Sequence, residues 1–96
     1  MQDTKSHKPK LDTRMDRLYY SYIDEEVDAG LSVADREYRE QLEAAWSLLI
    51  NYHSFEQALP LLMAREWGAE RKKISRATAY RVLNNCTKLF GDVTQL

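Results

Sequence analysis

Apolar residues recur every three or four positions through most of the chain, which is the spacing of amphipathic helices. The clearest pattern lies between residues 75 and 90. At about 100° per residue, one side of such a helix collects Ala79, Val82, Leu83, Cys86, Leu89 and Phe90. Ser75 is placed to cap the first turn, Ile74 and Ala79 occupy the two positions of a hydrophobic staple, and Gly91 is placed to end the helix in a left-handed conformation. The pattern predicts a helix over residues 75–90.

The same spacing predicts a first helix from about residue 13 to residue 27. Its apolar face holds Leu11, Met15, Leu18, Tyr19 and Tyr22. Thr13 with Asp16 matches a capping box, and Gly30 ends the segment. Tyr19, Tyr20 and Tyr22 would suit the stacking of bases, but an acidic run follows them: Asp24, Glu25, Glu26 and Asp28. Because those carboxylates would repel a nucleic acid, we expect the tyrosines to pack in the core.

Two further helices are expected between these segments. Ser32 with Asp35 caps one that extends to about residue 50, and its apolar stripe contains Tyr38, Leu42, Ala45, Trp46 and Leu49. That stripe could pack either in the core or against a helix of a second copy. In a single small domain we expect it to pack in the core. After a turn at residues 51–53, Ser54 with Gln57 opens the next helix, which should run to about residue 67. Pro60 predicts a kink there, or a fresh start at that residue.

These elements predict an all-α fold: a small bundle of about four helices. The chain has 96 residues, which suits one domain with one modest core. We expect a disordered tail over residues 1–11, which is polar and contains Pro9, and a single helical domain over residues 12–96. Residues 92–96 are too short for a further element.

Composition narrows the function classes. No apolar run approaches the roughly 20 residues that span a bilayer, and the start lacks a secretory signal, so we expect no membrane and a cytoplasmic location. Cys86 is the sole cysteine and lies on an apolar stripe, so it should be a small buried hydrophobe. His7 and His53 lie far apart, and no glycine-rich phosphate loop is present. We therefore expect no enzyme, catalytic residue, metal site or cofactor.

The charges are distributed unevenly along the chain. Residues 1–60 carry twelve acidic and seven basic side chains, a net charge of −5, whereas residues 61–96 carry seven basic and three acidic ones, a net charge of +4. The polar side of the last helix presents Ala77, Arg81, Asn84 and Lys88, flanked by Arg76, Thr78, Tyr80 and Asn85. A protein with a slightly negative net charge can thus present one basic face to a nucleic acid.

The cations before the last helix are unusual. A helix N-terminus carries about half a positive elementary charge, so acidic residues are normally favoured there. Here Arg71, Lys72 and Lys73 precede the cap and Arg76 follows it, with Glu70 as the nearby acid. Such an arrangement suits an external anion such as phosphate. Our leading hypothesis is that the anion is the DNA backbone.

A helix, a turn and a second helix with an open polar face form a helix-turn-helix, whose second helix enters the major groove. The segment that suggests this is Ile74-Ser75-Arg76-Ala77-Thr78-Ala79-Tyr80-Arg81-Val82-Leu83, which resembles the recognition helix of the resolvase and invertase family. The wider span 54–93, ending in Leu89-Phe90-Gly91-Asp92-Val93, resembles the DNA-binding region of phage small terminase subunits. This resemblance implies a DNA-packaging role, a large terminase subunit as partner, and DNA contacts by Arg76, Ala77, Tyr80 and Arg81.

Residue chemistry assigns the remaining roles. Arg76 and Arg81 can fork onto guanine, and Asn84 can pair with adenine. The full predicted DNA-binding set is Arg71, Lys72, Lys73, Ser75, Arg76, Ala77, Thr78, Tyr80, Arg81, Asn84 and Lys88. Two alternatives stay open: a helix-turn-helix transcriptional regulator, and a helical oligomerisation or adaptor protein that binds no DNA. In the second, the acidic half of one copy attracts the basic half of another, or the helices that carry Tyr and Trp form a homo-oligomer.

Overall fold

The computed structural model describes residues 11–94. Within that range the chain forms five helices and no strand: α1 (Arg14–Ser21), α2 (Glu25–Ala29), α3 (Val33–Tyr52), α4 (Phe55–Ala64) and α5 (Arg76–Phe90). The predicted all-α class is confirmed. The tail expected over residues 1–11 lies, apart from Leu11, outside the described residues.

The chain divides into two compact units, Met1–Asp35 and Arg36–Leu96. They are called unit 1 and unit 2 below. A single helical domain over residues 12–96 therefore stays a prediction.

In unit 1, two short helices replace the single helix that the sequence predicted. The cap at Thr13 is confirmed, since its hydroxyl accepts the Asp16 N–H at 3.0 Å. The chain then leaves the helix after Ser21, and Asp24 Oδ1 accepts the N–H groups of Glu26 and Val27 at 2.9 and 3.4 Å to start α2. An aspartate side chain accepts hydrogen bonds from free backbone N–H groups at an N-cap, whereas in a helix interior those groups are already bonded. The prediction of one continuous helix was wrong for this reason.

The tyrosines of unit 1 are also more exposed than expected. Leu18 is fully buried, but Tyr19 and Tyr22 are 51% and 44% exposed. Because α1 has only eight residues, it buries a narrow stripe formed by Leu18 and Ser21, and Tyr22 lies beyond its last turn. The prediction that Tyr19 and Tyr22 pack in the core was therefore wrong.

Asp35 links α1 to the first turn of α3 within unit 1. Its buried carboxylate accepts hydrogen bonds from Arg17 Nε at 2.9 Å and Arg17 Nη2 at 3.2 Å. Arg14 Nε lies 3.4 Å from the same carboxylate, and the Asp35 N–H donates to Ser32 Oγ at 3.0 Å. The hydrogen bond from Arg17 holds the pKa of Asp35 below its ordinary value of 3.8. The predicted N-cap at Ser32 is therefore confirmed. The ion pair with Arg17, 18 positions away in the sequence, holds Asp35 beside this cap.

Unit 2 contains α4, α5 and all but the first turn of α3. The predicted cap at Ser54 is confirmed, since its hydroxyl accepts the Gln57 N–H at 3.3 Å. The turn before it is shorter than expected, because α3 reaches Tyr52 and His53 adopts a left-handed φ of 56°. The core of this unit contains fully buried Leu42, Ala45, Leu49, Ala58, Leu62, Ala79, Val82, Leu83 and Cys86.

α4 passes through Pro60 and ends at Ala64, so both the fresh start at Pro60 and the extension to residue 67 were wrong. Proline removes one helical hydrogen bond, the one to the carbonyl of Glu56. Glu56 lies in the exposed first turn of α4, where water can hydrogen-bond that carbonyl instead. The loss is therefore small enough for the helix to continue.

Replacing Asp35 should destabilise the protein in a way that depends on pH. We expect Asp35→Asn to lower the free energy of unfolding at neutral pH by about 1 to 3 kcal/mol, because charge-assisted hydrogen bonds to a buried carboxylate are lost. Since the pKa of Asp35 is lowered by folding, its contribution is complete above 3.8 and disappears as the pH falls further.

Urea unfolding of the wild type and the variant, at neutral and acidic pH, measures this difference. Asp12→Asn is the matched control, because Asp12 is exposed. A difference between wild type and Asp35→Asn that stays constant as the pH falls below 3.8 would contradict the assignment.

Candidate nucleic-acid interface

The first turn of α5 is stabilised by an N-cap at Ser75. Ser75 Oγ accepts the Thr78 N–H at 3.1 Å and donates to Thr78 Oγ1 at 3.1 Å. At the far end, the Gly91 N–H donates to the Thr87 carbonyl at 2.9 Å. Gly91 has the expected positive φ, 115°, but its ψ of 159° lies outside the left-handed helical region. Both predicted ends of the helix are confirmed, with this difference in the conformation of Gly91.

One side of α5 is anchored in unit 2. Ala79, Val82, Leu83 and Cys86 are fully buried. Phe90 is half-buried, with its ring 5.2 Å from that of Trp46, measured between centroids. Burial raises the pKa of the Cys86 thiol to about 12. Cys86 is therefore a neutral, buried side chain, as predicted.

The opposite side of α5 is exposed. It carries Arg76, Ala77, Tyr80, Arg81, Asn84 and Lys88, and we call this set the α5 face. Thr78 is half-buried in the cap. Asn85, at the edge of the face, donates through Nδ2 to the Tyr38 hydroxyl at 2.7 Å, so it contributes to the packing of unit 2. The α5 face contains six of the eleven predicted site residues.

Arg81 is turned towards the N-terminus of its own helix. Its Nη2 donates to Thr78 Oγ1 at 3.2 Å, which is the atom that also accepts from Ser75. The Arg81 guanidinium thus lies beside the first turn of α5, to which Arg76 belongs. Neither arginine forms an ion pair with any residue between 11 and 94. Two cations without carboxylate partners therefore flank the positive end of this helix.

The segment before α5 forms a hairpin rather than a simple connector. Trp67 and Lys72 form an antiparallel bridge, with N–H to carbonyl distances of 2.8 and 3.0 Å. The Arg71 N–H donates to the Gly68 carbonyl at 3.1 Å, and both residues have left-handed φ values, 57° and 75°. We call residues 65–73 the cationic hairpin. The sequence feature that indicates this hairpin is Gly68, directly after Trp67, because glycine permits the positive φ at that corner.

The base of the cationic hairpin is fixed by Trp67, which is 7% exposed. The guanidinium of Arg65 lies over its ring, 4.9 Å from the centroid. Arg65 was not among the predicted site residues, because its position over Trp67 depends on the hairpin. The hairpin therefore presents four cations, at Arg65, Arg71, Lys72 and Lys73.

Two of these cations are paired within the hairpin. Arg71 Nε lies 2.9 Å from Glu66 Oε1, and Lys72 Nζ lies 2.9 Å from Glu70 Oε1. The side chains of the two basic residues are 80% and 77% exposed. Exposed pairs of this kind contribute about 0 to 1 kcal/mol and are screened by salt. A polyanion can therefore compete for both cations, and Lys73 has no carboxylate partner among residues 11–94.

A cavity of about 330 Å³ lies between α4 and the start of α5, lined by Glu56, Leu59, Pro60, Met63, Arg76 and Tyr80. The rings of Tyr80 and Phe55 meet in an edge-on arrangement, with 5.9 Å between centroids. No three His, Cys, Asp or Glu side chains within residues 11–94 are grouped in a way that could hold a metal ion. None of the helices in this part of the chain is both long and apolar enough to cross a bilayer.

Removing the cap of α5 should destabilise unit 2. We expect Ser75→Ala to lower the free energy of unfolding by about 1 kcal/mol, because the Thr78 N–H loses its acceptor. Ser47→Ala is the matched control, since Ser47 is exposed in the middle of α3, and it should change the free energy by less than about 0.5 kcal/mol. Urea unfolding measures both, and equal effects would contradict the role of the cap.

Comparison of the chain with protein-family models, with curated proteins and with solved structures finds no match in any of the three.

Proposed function

We propose that the chain is a DNA-binding protein in which α4, the cationic hairpin and α5 form a helix-turn-helix unit that recognises duplex DNA. The observation that carries this proposal is the α5 face, which is exposed, cationic and free of carboxylates on a helix whose other side is anchored by four fully buried residues. Residues 71–91 hold six basic side chains and no acidic one. α4 packs against α5, as the first helix of such a unit does.

The α5 face would read base edges in the major groove. Arg76 and Arg81 are suited to guanine and Asn84 to adenine, because these side chains can form two hydrogen bonds to those bases. Arg81 would exchange its hydrogen bond with Thr78 for a bidentate pair with the base. Ala77 leaves space for close approach of the duplex, and Tyr80 adds a hydroxyl and an aromatic edge.

The cationic hairpin would hold the DNA backbone. Four exposed cations can reach phosphate oxygens without any rearrangement of the core: Arg71, Lys72 and Lys73 of the hairpin, and Lys88 of α5. Contacts of this kind fix the register of a protein on a duplex but carry little sequence information. Arg65, held over Trp67, extends the same cationic surface.

The biological role we favour is that of a phage small terminase subunit, which marks viral DNA for packaging in the host cytoplasm. This rests on the resemblance of residues 54–93, and it makes a large terminase subunit the expected protein partner. A transcriptional regulator of the helix-turn-helix class would use the same residues. Recovery of a large terminase motor with the purified chain would favour the packaging role over regulation.

Duplex binding should depend strongly on salt. With about four phosphate contacts, the slope of log affinity against log salt should be about −3 to −4. Arg81→Glu should lower affinity at least about tenfold, because a base contact is replaced by a carboxylate near phosphates. Fluorescence anisotropy with a random-sequence duplex and with sites from random-site selection measures both effects.

Arg36→Glu is the control, since Arg36 belongs to α3 and not to the α5 face or the cationic hairpin. Circular dichroism confirms that each variant keeps its helices. Absence of duplex binding at low salt, or equal losses for the two substitutions, would overturn the proposal.

The ion pair of Glu66 with Arg71 should weaken non-specific binding. We expect Glu66→Gln to raise non-specific affinity by about two- to fivefold, because phosphate no longer competes with that carboxylate. In an Arg71→Gln background the gain should be smaller, and this double-mutant cycle isolates the pair. Glu40→Gln, an exposed control on α3, should show no dependence on Arg71. An equal gain from Glu66→Gln with and without Arg71 would contradict the competition.

A further inference from the structure

Unit 1 has a surface that the proposed DNA contacts do not use. A cavity of about 360 Å³ is lined by the apolar side chains of Leu11, Val27 and Leu31, with Gly30, Arg17, Asp24 and Glu26 completing its wall. Arg17 is already bonded to Asp35. The Glu26 carboxylate has no partner among residues 11–94. The cavity therefore combines apolar walls with an unneutralised negative charge.

Exposed apolar side chains precede this cavity in the chain. Ile23 and Tyr22, directly before Asp24, are 66% and 44% exposed, and Tyr19 is 51% exposed. Tyr19 belongs to the last turn of α1, Tyr22 is its C-cap and Ile23 follows directly, so the three residues lie at the end of this helix. Grouped apolar side chains on a surface often mark a site of protein association.

Charge identifies the occupant that this surface fits. Residues 11–35 carry seven acidic and two basic side chains, a net charge of −5, whereas residues 71–91 have a net charge of +6. A largely apolar cavity whose lining includes an acidic residue suits a side chain with an aliphatic stem and a cationic head, such as arginine or lysine. The α5 face offers Arg76, Arg81 and Lys88 in that form, with Tyr80 among them.

We infer that this surface of unit 1 is the docking site for the α5 face of a second copy of the chain. An arginine of the second copy enters the cavity beside Glu26, and Tyr80 meets the exposed apolar side chains. The contact joins two different surfaces, so a docked pair keeps one free α5 face and one free cavity. Contacts of this kind build rings or open filaments. This docking needs no DNA, and a duplex bound to the α5 face would exclude it.

Molar mass in solution tests the inference without DNA. At low salt, light scattering over a wide range of protein concentration should show mass rising above the 11.3 kDa of one chain, and high salt should reverse the rise. Glu26→Lys and Arg81→Glu should each weaken association by at least about tenfold. Glu25→Lys is the matched control, because it makes the same charge change on α2 outside the cavity, and its effect should be smaller.

Mixing the two interface variants gives the sharpest result. The Glu26→Lys copy keeps an intact α5 face, and the Arg81→Glu copy keeps an intact cavity, so an equimolar mixture should form dimers although neither variant associates alone. A mass of 11.3 kDa for the wild type at every concentration overturns the inference. A mixture that stays monomeric, or equal effects of Glu25→Lys and Glu26→Lys, also overturns it. Glu26→Lys should bind DNA at least as tightly as the wild type, because docking competes with DNA for the α5 face, so loss of DNA binding is a separate outcome.

Discussion

The burial of one side of α5 determines which of its residues are available to a ligand. Ala79, Val82, Leu83 and Cys86 are fully buried. Burying apolar surface contributes about 25 cal/mol per Å², so rotating the helix to hide its cations would expose this stripe at a cost of several kcal/mol. The 3.6-residue period then leaves the α5 face at the surface. The position of its arginines is therefore a consequence of core packing, while their identity is not.

That distinction matters because one cation of α5 opposes its local electrostatics and one residue of the hairpin has an unfavourable backbone conformation. Arg76 belongs to the first turn of a helix, where the dipole disfavours a positive charge. Arg71 adopts a left-handed conformation that costs a non-glycine residue about 1 kcal/mol or more. The conformation of Arg71 closes the turn of the cationic hairpin, where its N–H donates to the Gly68 carbonyl. The charge of Arg76 has no such role in the fold, and its position is easier to understand if a polyanion is its usual neighbour.

Four of the five N-caps within residues 11–94 could be predicted from sequence, because each depends on residues three positions apart, whereas the cap at Asp24 was missed. Ser54 with Gln57 and Ser75 with Thr78 are examples, and both form as a local pattern implies. The continuation of α4 through Pro60 could not be predicted in this way. Pro60 is a strong local signal against a helix, yet the packing of α4 against α5 outweighs one lost hydrogen bond.

Features that depend on distant residues were missed for a related reason. The bond between Arg17 and Asp35 spans 18 positions, and no periodicity connects the two. The cationic hairpin depends on the burial of Trp67, which the sequence placed at the end of a helix. Of the candidate site, the residues of the α5 face could be identified because an amphipathic helix fixes their side. Arg65, Glu66 and the paired state of Arg71 could not, since they require the hairpin.

The two surfaces inferred for this chain use the same cations, so their occupancies are coupled. Duplex DNA carries about one negative charge per 1.7 Å of its axis. The net charge of residues 11–35 is −5, so a duplex of more than a few base pairs carries more negative charge than this segment. DNA should therefore displace a docked copy from the α5 face whenever both are present at similar concentration. The acidic surface would act chiefly when DNA is scarce. Self-association and DNA binding would then be alternative states of one face, and the amount of accessible duplex would set the balance between them.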